Sequence, residues 1–447
     1  YDISADVLGY PESYYTPPSE AIKEIQIVRG AASLQYGTQF GGLINFIMKE
    51  PSNKKIELIT RNTIGSNKLF TNFTSLGGKV KKFSYYSYYN YKIGDGFREN
   101  SDYVSNNFYI HLGYDLSKKT KLTGEISYLK YLAHQAGGLS DRMFNLNPLQ
   151  SNRSRNWFSL DWLLFNFKFK HKFNDKSNLS LSFFGLDAER NTIGFRSNRV
   201  DQIDPFTERD LIKGNFNNHG IEIKFLNNYS FLNKKNVFVI GGKYYRSKST
   251  SQQGPGSEKE DADFNFYLNK FPNYTNQSDY VYPNKNFAFF GENIIYLSEK
   301  LSFTPGFRYE NILTKSRGSF KQINLDAAGN VIYNNTNYER KDSKRSFFLL
   351  GLGLSLKTLN SLEIYSNISQ NYRSVTFADI SIVNPAFAIN PDISDERGLT
   401  LDLGLRGDIK DLVSLDFTFF NLLYRDRIGF SQKEFKDGSV KSERGNI

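Results

Sequence analysis

The sequence predicts an all-β membrane protein: an antiparallel transmembrane β-barrel that follows about fifty residues of a different character. Three observations carry this expectation. Side-chain character alternates with a period of two over most of the chain. The alternating stretches are joined by links that are short and long in turn. The aromatic content is high, with no apolar helix to account for it. Of the 447 residues, 39% are hydrophobic and 16% aromatic, the latter mostly 39 Phe and 29 Tyr. The longest apolar run, residues 347–356, is about half of the ~18 residues that a spanning helix requires. Cysteine is absent, which removes disulfide frameworks, thiolate metal sites and thiol nucleophiles together. The net charge of +11 fits an anionic ligand, an anionic lipid surface or a lysine-rich composition equally well.

The first fifty residues break the alternation. They hold Pro11, Pro17 and Pro18, the stretch Ile22-Lys23-Glu24-Ile25-Gln26-Ile27-Val28, Arg29-Gly30, Tyr36-Gly37 and Gly41-Gly42-Leu43-Ile44-Asn45. That order predicts strand, glycine turn, short helix, glycine turn, strand, the glycines serving close packing and positive φ. From about residue 55 the period is two. Phe165, Phe167, Phe169, His171 and Phe173 alternate with Asn166, Lys168, Lys170 and Lys172. Leu399, Leu401, Leu403 and Leu405 alternate with Thr400, Asp402, Gly404 and Arg406. Each such stretch is a strand with one apolar and one polar face.

These strands run about 10–15 residues, against ~5–6 in soluble sheets. Tight links are expected near 117–120, 174–177, 232–235, 298–300, 357–360 and 410–412. Long polar links are expected near 133–156, 191–218, 249–285, 315–343 and 373–398. Aromatics crowd towards strand ends, as in Tyr85-Tyr86-Ser87-Tyr88-Tyr89-Asn90-Tyr91. Long strands, alternating loops and aromatic girdles mark an outer-membrane barrel, in which a closed sheet pairs the backbone groups that lipid cannot. About fifteen strands follow Lys55. Bacterial single-chain barrels have even numbers, so this count, the absence of an initiator Met and a polar last segment lead us to expect a barrel truncated after about fifteen strands.

Val28-Arg29-Gly30, then Tyr36-Gly37, then Gly41-Gly42-Leu43-Ile44-Asn45-Phe46-Ile47 stand directly before the barrel pattern. This block resembles the second half of the plug domain of TonB-dependent outer-membrane transporters, the siderophore receptor family. The plug motif here is Arg29, Gly30, Tyr36, Gly37, Gly41, Gly42 and Asn45. The resemblance implies two domains: residues 1–50, the C-terminal part of a plug, and residues 51–447, an incomplete barrel of a 22-stranded family. It continues at Gly96-Phe97-Arg98-Glu99-Asn100-Ser101, which resembles the second outside loop. Gly137-Gly138-Leu139-Ser140, followed by Arg153, Arg155 and Trp157, resembles the ferric-citrate type of the family.

By resemblance, the protein sits in the bacterial outer membrane and imports a ferric chelate, ferric citrate or another carboxylate-type siderophore. TonB with its inner-membrane energising complex is the implied partner. Outer-membrane lipid and lipopolysaccharide surround a monomeric barrel, and nucleic acid is not expected. No enzyme activity and no cofactor are implied, iron arriving only within the bound chelate. The TonB box and the first half of the plug are expected to lie outside this chain. Cobalamin, haem and oligosaccharide remain alternative ligands, and a passive porin a further alternative.

The residues themselves agree with transport. The four histidines, His111, His134, His171 and His219, are scattered without metal or general-base spacing. A carboxylate chelate suits arginine, whose planar fork binds carboxylate bidentately. The candidate ligand contacts on outside links are Arg98, Arg153, Arg155, Arg196, Arg199 and Arg373, each taken singly reading more readily as a solvated charge or a lipopolysaccharide-phosphate contact. The family pattern adds Gln35 and Thr376, which stand where the citrate type carries an arginine and a ligand-contacting glutamine. These departures, and a net charge of −2 over the link 249–285, argue against citrate itself more than against a ferric chelate.

Overall fold

The computed structural model describes every residue except 29–33, 38–42, 198, 360, 381–386, 410–411 and 435–439. An irregular N-terminal segment and a helical turn at Ser19–Ala21 lead into an antiparallel pair, β1 (Ile22–Val28) and β2 (Leu43–Met48). The barrel wall then begins. Its strands are β3 (Glu57–Ile64), β4 (Phe70–Val80), β5 (Phe83–Gly94), β6 (Tyr103–Asp115), β7 (Thr120–His134), β8 (Trp157–Lys172), β9 (Ser177–Gly194), β10 (Asp210–Phe231), β11 (Lys234–Pro255), β12 (Ser278–Tyr296), β13 (Leu301–Leu325), β14 (Val331–Leu359) and β15 (Leu362–Arg373). After β16 (Phe387–Ile389), which lies in a loop, the wall ends with β17 (Glu396–Ile409) and β18 (Val413–Arg425). A hairpin of β19 (Ile428–Glu434) and β20 (Val440–Asn446) takes β16 as its third strand.

The wall is one antiparallel sheet of 15 strands in which each strand pairs with its neighbours in sequence, matching the count from periodicity. Among the described residues it is open, with β3 and β18 at its two edges. Alternation sorts the faces as expected: Leu160, Trp162, Leu164 and Asn166 point inward and are buried, while Phe167 points outward and is 50% exposed. The outward row is apolar because lipid, not protein, is its neighbour.

The N-terminal segment touches the inner wall almost all the way round. Ala21 packs with Phe73, Tyr86 and Tyr109, and Tyr15 hydrogen-bonds to Tyr88 at 3.1 Å. Asn218 donates to the Ala5 carbonyl at 2.7 Å, Arg308 donates to the Leu34 carbonyl at 2.9 Å, and Leu34 packs with Leu349 and Tyr372. One segment reaching strands from β4 to β15 means that the sheet curves around it.

Three expectations need correction. The long link near 315–343 is instead a hairpin: β13 and β14 stay paired from Leu301↔Leu356 out to Leu325↔Val331. The Asp326 carboxylate closes its tip by accepting from the backbone N–H of Ala328 and Asn330, at 2.9 and 2.8 Å. This stretch reads as a loop because its strands carry polar side chains on both faces. The tyrosine run of β5 is only half a girdle, since Tyr86 and Tyr88 turn inward and bury themselves against Tyr109. Of the expected short helix, residues 34–36 form a single turn. The flanking glycine turns, with Arg29, Gly30, Gly41 and Gly42, lie outside the described residues.

Candidate functional site

Long loops gather at one end of the wall and tight turns at the other, and the N-terminal segment forms a floor below the loops. Among its fastenings to the wall is Asp6, a fully buried carboxylate. Asp6 accepts from the hydroxyls of Tyr245 (3.2 Å), Ser247 (2.8 Å) and Ser249 (3.1 Å), the Asn284 amide (2.9 Å) and the Leu8 backbone N–H (3.1 Å). Among the described residues no cation joins these partners, and burial holds its pKa above the usual carboxylate value against the pull of the hydrogen bonds. The alternation of β11 and β12 delivers this set, because Tyr245, Ser247 and Ser249 share the inward face and Asn284 lies opposite Ser247.

Above Asp6 the chain turns back on itself through paired hydrogen bonds between Asp6 and Tyr10, and presents Tyr10, Pro11, Glu12, Ser13 and Tyr14 towards the loops. The phenols of Tyr10 and Tyr14 lie 2.7 Å apart, and each donates to Glu12 at 2.9 Å. Their rings rest on the wall: Tyr10 stacks on Phe216 at 5.2 Å, and Tyr14 meets Phe158 at 5.6 Å and the edge of Trp162 at 5.7 Å. Burial raises both phenol pKa values, with the charge of Arg190 opposing, so both groups stay neutral donors. Arg190 points inward from β9, its guanidinium 5.5 Å from the Tyr10 ring centroid. Its Nε is buried without a hydrogen-bond partner, and among the described residues it makes no ion pair. The floor therefore offers aromatic faces, phenol hydroxyls, one carboxylate and one uncommitted guanidinium.

The arginines expected from sequence lie on the long loops or at their edge, each with partners of its own. Arg98 donates to the carbonyls of Gly137 and Gln150. Arg153 donates to those of Asn152, Val200 and Gln202. Arg155 is buried, grips Asp204 through Nε (2.9 Å) and Nη2 (2.5 Å), and donates to the carbonyls of Thr207 and Glu258. Beside it Arg209, also buried, donates to the carbonyls of Arg155, Ser257 and Asp261. Together these two tie the loops after β7, β9 and β11 into one block.

Arg196 pairs with Asp210 at 3.1 Å, and Arg199 pairs with Asp201 at 3.0 Å on the open surface. Arg373 binds Asp379 (3.0 Å) and Glu396 (3.3 Å). Thr376 donates to the same Asp379 through its backbone N–H and hydroxyl, both at 2.8 Å, and Arg444 joins them at 2.5 Å. This second hub ties the loop after β15 to the β19–β20 hairpin.

Gln35 and Tyr36 line a separate cavity of about 570 Å³ below the floor, with Lys170, Lys224 and Glu292. Gly37 borders a smaller one beside Tyr245 and Arg308, and Asn45 donates to Gln26 at 3.0 Å across the β1–β2 pair. Sequence reasoning missed Tyr10, Tyr14 and Arg190. It looked for arginine on loops, whereas the phase that puts Leu186 and Ala188 inward on β9 puts Arg190 inward too.

Comparison with known proteins fits this architecture. The chain superposes on the ferric citrate transporter FecA in its unliganded form with a TM-score of 0.74 at 15% identity, covering 95% of this chain and 60% of that one. It superposes on the ferric yersiniabactin uptake receptor FyuA from Yersinia pestis with a TM-score of 0.70 at 12% identity, covering 91% and 60%. For the copper transporter OprC the values are 0.68 and 15%, covering 98% and 64%. At such identities the likeness is one of fold, and the chain spans about three fifths of these relatives' length. No curated protein matches in sequence. The model of the family described as TonB dependent receptor-like, beta-barrel matches residues 112–439. The chain therefore belongs to the TonB-dependent receptor β-barrel family, outer-membrane receptors and transporters rather than enzymes.

Proposed function

We propose that the whole protein imports a ferric chelate across the outer membrane, driven through TonB, and that the chelate is an anionic carboxylate type such as ferric citrate. Residues 1–50 serve in this reading as the second half of the plug, and residues 51–447 as part of the barrel. The observation that carries the ligand class is Arg190, an uncommitted guanidinium beside the phenols of Tyr10 and Tyr14. Arg190 offers charge-assisted donors to carboxylate oxygens, while the phenol rings, whose hydroxyls donate to Glu12, cover the apolar faces of the chelate. Glu12 disfavours a bare dianion and favours a ligand whose metal centre offsets part of its charge. The loop arginines enter mainly as the frame of the vestibule. Arg196 and Arg199, on the exposed rim, are candidates for first contact.

Calorimetric titration of the full-length protein with ferric citrate, a ferric hydroxamate, haem and cobalamin tests this reading. Ferric carboxylate is expected to bind tightest. Arg190→Ala is expected to weaken it about 10- to 100-fold, the value of one charge-assisted contact of ~1.5–3 kcal/mol. Binding of cobalamin or a glycan alone refutes the iron assignment. Unchanged chelate affinity in Arg190→Ala removes that residue from the site and leaves the family-level reading standing.

A further inference from the structure

Below the floor, two cavities follow one another along the inward faces of β8–β13, with Tyr36 between them. The upper one, about 160 Å³, lies under Leu8 and Pro11 and reaches Lys243 and Tyr36. The lower one, about 570 Å³, begins at Tyr36 and runs down past Lys170 and Lys224 to Lys172. Register gives their order. Asp6 is held by Tyr245, Ser247 and Ser249, and Lys243 is the next inward residue below Tyr245. Lys243 lies opposite Glu222, one inward step above Lys224, and Lys224 and Lys170 both lie opposite Ser180. From the vestibule downwards the order is therefore floor, Asp6, upper cavity, Tyr36, lower cavity and tight turns.

The two cavities differ in charge. In the upper one Asp2 and Glu310 balance Lys243 and Arg308. The lower one has Lys170, Lys172 and Lys224 against a single carboxylate, Glu292. Lys224 pairs with Glu222 at 2.9 Å and keeps its ammonium 5.0 Å from the centre of the Tyr36 ring. Lys170 has no ion-pair partner among the described residues, and neither has Lys243, whose ammonium rests on the rings of Phe184 and Tyr245 at 5.3 and 5.8 Å. A purely structural use for these lysines would be to meet acids of the N-terminal segment. Among the described residues that segment brings only Gln35 and Tyr36 to the lower cavity. The excess charge there faces space, and the volume falls within the ~300–1,000 Å³ of small-ligand sites. One inward step is ~7 Å and two strand spacings are ~10 Å, so Lys243, Lys224 and Lys170 can all reach one small polyanion in turn.

We infer that the cavity below Tyr36 is a second anion site, in which Lys170 and Lys224 take the carboxylate groups of the cargo after it leaves the vestibule. This assignment rests on the anionic chelate proposed above and adds its route, between the N-terminal segment and the inward faces of β8–β12. Tyr36 is the partition between the two cavities. Residues 6–11 roof the upper one, so release of Asp6 joins it to the vestibule, and the anion then meets Lys243 before it passes Tyr36. Lysine suits a station on such a route. Its ammonium is a point charge on a flexible stem, which holds an anion without the bidentate fork that Arg190 presents above.

Two measurements on the full-length protein test this. In detergent, with citrate as the probe, acetylation of lysine amines is followed by peptide mass spectrometry. Millimolar citrate is expected to slow acetylation of Lys170 and Lys224 at least threefold and to leave the exposed turn residues Lys81 and Lys118 unchanged. Absence of protection overturns the inference whatever the cargo. So do amines that fail to react without citrate, because other plug segments then fill the cavity. In energised cells, Lys170→Gln with Lys224→Gln is expected to slow uptake of radioactive ferric citrate at least fivefold, with calorimetric affinity within twofold of wild type. Lys170→Arg with Lys224→Arg is expected to restore most of the rate. Glu222→Gln removes the carboxylate partner of Lys224 but keeps the lysine, and is expected to leave uptake near wild type. Unchanged uptake in the Gln pair, no rescue by the Arg pair, or equal slowing by Glu222→Gln overturns the inference. Protection by citrate in a protein that neither binds nor imports ferric citrate keeps the site and refutes ferric citrate as the cargo.

Discussion

Replacing Asp6 by alanine is the sharpest test of how the floor is held. The carboxylate collects four side-chain donors from β11 and β12, and its own backbone closes the turn with Tyr10. Each lost bond to a buried acceptor is worth ~1 kcal/mol net, so four give about 4 kcal/mol. Removing a buried charge without a cationic partner returns part of that, leaving about 2–4 kcal/mol of lost anchoring. Local opening of residues 5–12 should then be roughly 30- to 1000-fold more frequent, by ~1.4 kcal/mol per decade. Hydrogen exchange of the Asp6, Leu8 and Tyr10 amides in full-length protein reads this directly, with amides in the middle of β8 as the unaffected reference. Exchange within threefold of wild type would show that Asp6 does not hold the floor.

The pH dependence follows from the direction of the shift. Burial raises the folded-state pKa of Asp6 above its unfolded value, so its protonated form is the one that folding favours. Its contribution is fullest below the unfolded pKa and declines as pH rises through the folded value. Asp6→Asn should flatten that slope, the neighbouring hydroxyls turning to accept from the new amide. A slope retained in Asp6→Asn would assign it to another group.

The other expectations follow from single features. Arg209→Ala removes a buried fork from the carbonyls of three residues in the tied loops and should open that block by about 3 kcal/mol. Limited proteolysis of residues 195–209 and 256–277 should then accelerate, while cleavage of the 326–330 tip stays unchanged. Leu232 and Asn233 both hold positive φ, 51° and 57°, in the two-residue turn between β10 and β11. That is the type I′ geometry which Asn-Gly prefers, so Leu232→Asn with Asn233→Gly should stabilise the barrel by about 1–2 kcal/mol, seen as slower unfolding in urea.

How much of this was legible depends on which force fixed each feature. Strand number and facing were readable because lipid imposes one polarity on every outward position, as at Leu401 and Leu403 or Phe417 and Phe419. The β13–β14 hairpin was not, because beyond the membrane neither face meets lipid and the alternation of residues such as Asn334, Asn335, Thr336 and Asn337 has nothing to encode. The inward tyrosines were misplaced for a related reason. Tyr86 and Tyr88 are as aromatic as Tyr85 and Tyr89, and only the phase of the strand separates wall from interior. The floor was the least readable, since Asp6 finds its partners at a separation of more than two hundred residues and no local pattern announces them.

The same reasoning divides the net charge into parts that composition cannot. Positive charge on an outside loop suggests a ligand only while it is uncommitted, and most of the loop arginines here are committed. Arg153, Arg155 and Arg209 spend their donors on backbone carbonyls that a long loop cannot otherwise satisfy, and Arg373 with Arg444 neutralises one buried aspartate. Such residues cannot turn to a ligand without unmaking the loops that shape the vestibule. Arg190, inside the barrel, is among the charges left over. Removing it should weaken chelate binding and leave heat-modifiable gel mobility as in wild type. Measuring both readouts on Arg190→Ala separates a ligand role from a folding role, and loss of both would reduce its effect to one on folding.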